Sequence, residues 1–139
     1  MAKISKISIV HSVSRKYETA LKVCLKTCED NAVKIEDVFS VNDKNLLEQV
    51  SKTDSELVLV IGGDGTMIST IRKLLILNIP FLGINIGKLG FLTDINLESI
   101  SDELPKVFNA EYVREKRPFL EITLSNKDKK TAINEVVFH

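Results

Sequence analysis

The residues of this 139-residue chain best placed to do chemistry are Gly62, Gly63, Asp64, Gly65 and Thr66. They directly follow Leu57-Val58-Leu59-Val60-Ile61, a run with no polar residue, and directly precede Met67, Ile68, Ile71, Leu74 and Leu75 at helical spacing. The cluster is thus a strand-to-helix turn, and a helix N-terminus offers unpaired backbone N–H groups and a positive dipole end to an anion. Three glycines among four residues allow positive φ and let the backbone approach a phosphate closely, while Thr66 adds a hydroxyl donor. The cluster is no Walker A loop, because no Gly-Lys-Ser/Thr follows. It is no dinucleotide fingerprint either, because Gly-x-Gly-x-x-Gly spacing is absent after the first strand.

Asp64 decides what such a cradle is for. A carboxylate among phosphate-facing N–H groups repels the ligand unless it holds a metal ion or takes a proton from an attacking hydroxyl, and either role implies phosphoryl transfer. The competing reading is that Asp64 caps the helix and the glycines make a tight turn. A second glycine-bearing turn, Gly87-Lys88-Leu89-Gly90, read alone, is structural. Cys24 and Cys28 lie four apart in a helical pattern with no partner at metal-ligand spacing, so they read as reduced thiols rather than a zinc site. His11 and His139 read as incidental.

The elements that must position these residues alternate. Ile7 to Val10 is a strand, and Ser14 is the expected cap of a helix whose inner face is Tyr17, Leu21, Cys24, Leu25 and Cys28. Ile35 to Phe39 is a second strand, and Asp43 is the expected cap of a short helix turning Leu46, Leu47 and Val50 inward. The all-apolar run from Leu57 suits a central strand covered on both faces. Phe81 to Asn85 is a further strand, and Leu97 to Phe108 reads as a helix in which Pro105 demands a cap near Ser101 or a kink. This order predicts an α/β domain over residues 1–110, an open, doubly wound (Rossmann-like) parallel sheet. Beyond Ala110, Leu120 to Leu124 alternates at period two and a polar turn through Ser125 to Asp128 follows, which reads as antiparallel β. Residues 111–139 are expected to begin a second, β-rich domain that the chain leaves incomplete, since two or three strands are marginal alone.

Composition sets the outer bounds. Lys plus Arg and Asp plus Glu are each 19, so no net charge favours nucleic acid or an anionic membrane. With 44% hydrophobic and 27% charged residues the chain should fold, and no apolar run nears the roughly 20 residues that span a bilayer. The expected setting is the cytoplasm, with neither nucleic acid nor membrane as partner.

Gly62-Gly63-Asp64-Gly65, the segment Asn85-Ile86-Gly87-Lys88-Leu89-Gly90-Phe91-Leu92 and the pair Asn134-Glu135 occur in the order seen in NAD kinases, and the chain resembles that family over essentially its whole length. The first motif is shared with 6-phosphofructokinases and with diacylglycerol and sphingosine lipid kinases; the second and third select NAD kinase. The resemblance implies transfer of the γ-phosphoryl of ATP, with magnesium or another divalent cation, to the 2′-hydroxyl of the adenosine ribose of NAD, giving NADP. It implies that Asp64 is the general base, that Gly65 lines the NAD pocket, and that Asn134 and Glu135 bind the dinucleotide. By the same resemblance Leu89 and Phe91 contact the adenine, and Gly62, Gly63, Gly65 and Thr66 hold phosphates. It further implies a homo-oligomer. The family continues into a β-rich domain with a second glycine-rich segment, so the 139 residues alone are expected to be inactive or nearly so. Two alternatives stand beside this reading. A sugar or lipid alcohol acceptor would need its own groove, and a non-catalytic nucleotide-binding module would keep ligand binding in Asp64→Asn.

Overall fold

The structure, a computed structural model, describes residues 3–14, 16–87, 95–111, 119–123 and 129–133. Five parallel strands form one sheet: β1 (Lys6–His11), β2 (Lys34–Ser40), β3 (Leu57–Gly62), β4 (Phe81–Asn85) and the two-residue β5 (Ile95–Asn96), in the spatial order β2-β1-β3-β4-β5. The helices are α1 (Tyr17–Asp30), α2 (Leu46–Ser51), α3 (Asp64–Leu74) and α4 (Ile100–Phe108). A separate antiparallel pair joins β6 (Phe119–Thr123) to β7 (Lys129–Ile133).

Every residue of β3 is buried, as a strand must be when helices cover both faces of its sheet. Its alternation divides the core in two. Leu57, Leu59 and Ile61 join Ile7 and Ile9 of β1 beneath Ala20, Cys24 and Cys28 of α1 and Ile100, Leu104 and Phe108 of α4. Val58 and Val60 join Val10 beneath Leu46 and Val50 of α2 and Met67 and Leu74 of α3. Each fully buried Val, Leu, Ile, Phe or Met among them contributes about 1.5–3 kcal/mol relative to exposure. A three-layer sandwich follows, with the site-bearing helix α3 on one face.

Several expected details differ. Ser14 does not cap α1: its carbonyl accepts from the Tyr17 N–H at 3.2 Å in a turn, and the cap position is Lys16. Leu25 faces solvent, and Thr27 takes an inner position with its hydroxyl bonded to the Val23 carbonyl at 2.8 Å. Asp43 accepts from the Asn45 N–H at 2.9 Å, one turn before α2, and Leu47 points outward. The helix from Leu97 begins as a 3-10 turn capped by Asn96, whose Oδ1 accepts from the Ser99 N–H at 3.0 Å. Ser101 therefore lies inside α4 and caps nothing. Pro105 also sits within α4, where the carbonyl it cannot serve belongs to exposed Ser101. No helix among the described residues is long and apolar enough to cross a membrane.

Candidate functional site

In this strand order the chain leaves β1 for β2 on one side and returns to β3 on the other. The crevice at the C-terminal ends of β1 and β3 is the place where open α/β sheets bind ligands. The first turn past β3 carries Gly63, Asp64 and Gly65 into that crevice, because β3 ends at Gly62 and α3 begins at Asp64.

Gly63 is the N-cap of α3, and Asp64 is its first helical residue. The reading of Asp64 as a helix cap is thereby corrected: the cap position is held by a residue with no side chain. A carboxylate at the first helical position still meets the positive end of the helix dipole. The first intrahelical bond runs from the Met67 N–H to the Gly63 carbonyl at 3.0 Å, so the N–H groups of Gly65 and Thr66 precede the helical ladder. Asp64 and Thr66 are half-buried and Gly65 is exposed.

Of the two reasons expected for the glycines, positive φ does not hold. None of the described glycines has positive φ, and Gly63 is extended at φ −117° and ψ −164°. At Gly62 the requirement is steric, since a Cβ there would lie 2.6 Å from the Thr66 Cβ and Oγ1. At Gly63, Gly65 and Gly87 a Cβ would meet nothing within 4 Å among the described residues. Neither backbone strain nor packing among the described residues calls for glycine at these three positions, which leaves the backbone open to something approaching from outside.

The second glycine turn comes to the same place. Register pairs Gly62 with Asn85 across β3 and β4, and the Ile86 N–H donates to the Gly62 carbonyl at 3.3 Å. Buried Asn85 turns the chain by accepting from the Gly87 N–H at 2.9 Å. Gly87, read alone as structural, thus stands beside the Gly62–Gly65 turn, an adjacency that needs the β3-β4 pairing to be seen. Leu89 and Phe91 lie outside the described residues, as do Asn134 and Glu135.

On the other flank, the Ser12 N–H extends the β1-β3 ladder by donating to the Ile61 carbonyl at 2.8 Å, which brings Ser12 level with Gly62. His11, just before it, stacks its ring on Tyr17 with centroids 3.9 Å apart and planes 10° from parallel. Sequence reading passed over Ser12 because a serine after a first strand carries no signal until the strand order is known. Among the described residues no three His, Cys, Asp or Glu side chains converge. Cys24 and Cys28 are free and buried in α1, away from this crevice.

Comparison with known proteins gives the family and the fold. The profile of the family described as ATP-NAD kinase N-terminal domain matches residues 3–112. An NAD kinase of Clostridium kluyveri is 38% identical over 96 residues, covering 67% of this chain and 34% of that enzyme. An NAD kinase of Salmonella dublin is 43% identical over 89 residues, covering 61% of this chain and 30% of that enzyme. The chain therefore spans about a third of the length of these curated relatives. The fold is similar to that of an NAD kinase from Archaeoglobus fulgidus crystallised in complex with ATP, with a TM-score of 0.64 and 22% identity over 88% of this chain and 44% of that one.

Proposed function

The chain belongs to the ATP-NAD kinase N-terminal domain family, and from that premise we propose that the complete protein transfers the γ-phosphoryl of ATP to the 2′-hydroxyl of the adenosine ribose of NAD. The observation that carries this reading is the placement of Asp64 at the first position of α3, in the switch-point crevice, between glycines whose missing side chains leave the backbone open. The 2′-oxygen attacks the γ-phosphorus, the bond from that phosphorus to the β,γ-bridging oxygen breaks, and ADP leaves. The hydroxyl proton goes to the Asp64 carboxylate, so a neutral acid forms as the new phosphate ester gains its charge. The N–H groups of Gly65 and Thr66 at the dipole's positive end, with the open backbone of Gly63, hold the phosphates, and Gly62 serves them by letting Thr66 and the start of α3 pack close over the end of β3.

Magnesium or another divalent cation enters as part of the ATP complex. Such an ion takes most of its ligands from phosphate and water and needs only one or two carboxylates. In this reading no side chain is assigned to the ion, because the Asp64 carboxylate is kept for the hydroxyl proton. Leu89 and Phe91 contact the adenine in this reading, Gly65 lines the NAD pocket, and Asn134 and Glu135 bind the dinucleotide. Residues 1–110 are the α/β domain, and 111–139 begin the β-rich NAD-binding domain; the antiparallel β6-β7 pair and the partial coverage of the relatives support that division. The protein acts as a homo-oligomer in the cytoplasm, on soluble nucleotides and on neither nucleic acid nor membrane.

The test is NADP formation from NAD, ATP and magnesium by the complete protein beside its Asp64→Asn variant. Turnover in the first and a loss of about 10²–10⁴-fold in the second, with both folded, is the expected result. No NADP from the folded complete protein would reject NAD as acceptor. Equal rates from both would remove Asp64 from the chemistry.

A further inference from the structure

We propose that Ser12 is a phosphate-binding residue of this site, its hydroxyl donating to a phosphate oxygen of the bound nucleotide. This rests on the nucleotide reading above and goes beyond it, because neither the glycine turns nor the catalytic aspartate requires anything of the β1 end. Ser12 is 8% exposed, and its Oγ is fully buried with no hydrogen-bond partner among the described residues. A buried hydroxyl normally finds a partner, because leaving one without costs its full desolvation penalty. The other buried hydroxyls of this layer conform: Ser8 bonds Ser55 and Thr70 bonds the Thr66 carbonyl at 2.8 Å.

The position of Ser12 says what its partner is. Along β1, Ile9 belongs to the α1-α4 side of the core and Val10 to the α2-α3 side. His11 returns to the first side, where its ring meets Tyr17, a residue packed against that core. Alternation, carried one rung further by the Ser12 N–H bond to Ile61, sets the Ser12 side chain on the α2-α3 face. Gly62 lies level with it on the neighbouring strand, and the Thr66 side chain presses on Gly62 from that same face. The Ser12 hydroxyl therefore sits at the C-terminal edge of the sheet, on the side where α3 presents its N-terminus. A donor there, beside N–H groups that favour an anion, suits a phosphate oxygen. Such a group explains why an unsatisfied hydroxyl persists: its cost in the free protein is recovered when nucleotide binds.

The experiment uses the complete protein with Ser12→Ala and Ser12→Cys, the second keeping the volume but only a weak donor. ATP and NAD are the probes, each followed by its KM and by the rise in melting temperature it causes. Both variants should lose about tenfold or more in apparent affinity for one nucleotide, since a hydrogen bond to a charged group has been removed. Without nucleotide they should melt no lower than the wild type. Loss confined to ATP assigns the hydroxyl to the triphosphate; loss confined to NAD assigns it to the pyrophosphate. The melting arm needs no turnover, so it judges Ser12 even if the wild type makes no NADP. Wild-type affinity for both nucleotides in both variants would overturn the proposal. So would a Ser12→Ala protein that melts well below the wild type without ligand, because the hydroxyl would then have a structural partner.

Discussion

The Thr66 side chain lies so close over Gly62 that a Cβ at Gly62 would stand 2.6 Å from both the Cβ and the Oγ1 of Thr66. The contact ties the last residue of β3 to the first turn of α3 and sets how near that helix comes to the sheet. Gly62→Ala should therefore destabilise the protein by about 1–3 kcal/mol, the usual cost of overpacking. Thr66→Ala in that background should recover only part of the loss, because the Thr66 Cβ is itself one of the crowded atoms. Urea midpoints of the two variants and the wild type measure this; a full recovery would mean the hydroxyl and methyl alone are in conflict.

Glu56 fastens the starts of β1 and β3 together at the opposite end of the sheet. Its Oε1 accepts from the Ser5 hydroxyl at 2.8 Å, the Ser5 N–H at 3.0 Å and the Lys6 N–H at 3.1 Å. The Ser5 hydroxyl bond first, then the backbone bonds and the nearby Lys6 charge, hold the carboxyl below its ordinary 4.5. With the folded value lower, the unfolded chain binds more protons in acid, so this stabilisation is present above about 4.5 and fades as pH falls through the folded value. The stability gap between wild type and Glu56→Gln should accordingly shrink as urea titrations move from neutral pH into that window. A gap unchanged with pH would mean the ionised form is not what the three donors favour.

Cys24 and Cys28 stand one helical turn apart in α1, and burial pushes both thiols up to about 12, with the charge of Cys28 adding to the effect at Cys24. At neutral pH almost no thiolate exists to react, so neither cysteine should take up iodoacetamide until the protein is unfolded. The pH dependence has the opposite sign to that of Glu56. Above the ordinary 9.0 the unfolded chain gives up thiol protons that the folded protein retains, and stability falls as pH rises towards 12. Labelling followed by mass spectrometry, native and in urea, checks the first point. Native labelling at the unfolded rate would show that α1 opens readily.

What the sequence made legible follows from how strongly each element signals itself. β3 and β4 were plain because an unbroken apolar run between turn residues has few other outcomes, and β4 matches its expected bounds, Phe81–Asn85, at both ends. The two-residue β5 was invisible, since two residues carry no period. Helix α3 starts at Asp64, earlier than expected, because Gly65 has poor helix propensity and disguises the first turn. Leu25 and Leu47 misled because an apolar residue one position off the inner stripe looks inward on paper. Asp64 stands out by its chemistry, a carboxylate among glycines, and the structure puts it at the first position of α3. The adjacency of Gly87 to Gly62 and the place of Ser12 depend on strand order, which no local pattern encodes.

Gly65 offers the sharpest separation of folding from function. It occupies the second position of α3, is exposed, and a Cβ there would meet nothing within 4 Å among the described residues. For the folded protein alone, alanine is the better residue, and Gly65→Ala should raise stability by up to about 1 kcal/mol through helix propensity and a less free unfolded chain. For a protein that brings nucleotide phosphates against this backbone, the added methyl occupies the approach. The complete protein carrying Gly65→Ala should thus melt higher than the wild type while its KM for nucleotide rises and its kcat falls, a gain in stability against a loss of activity. Melting curves and initial rates on one preparation decide it. A variant more stable and fully active would show that Gly65 is not where the nucleotide comes in, and would leave the open glycines of this turn without the purpose argued for them.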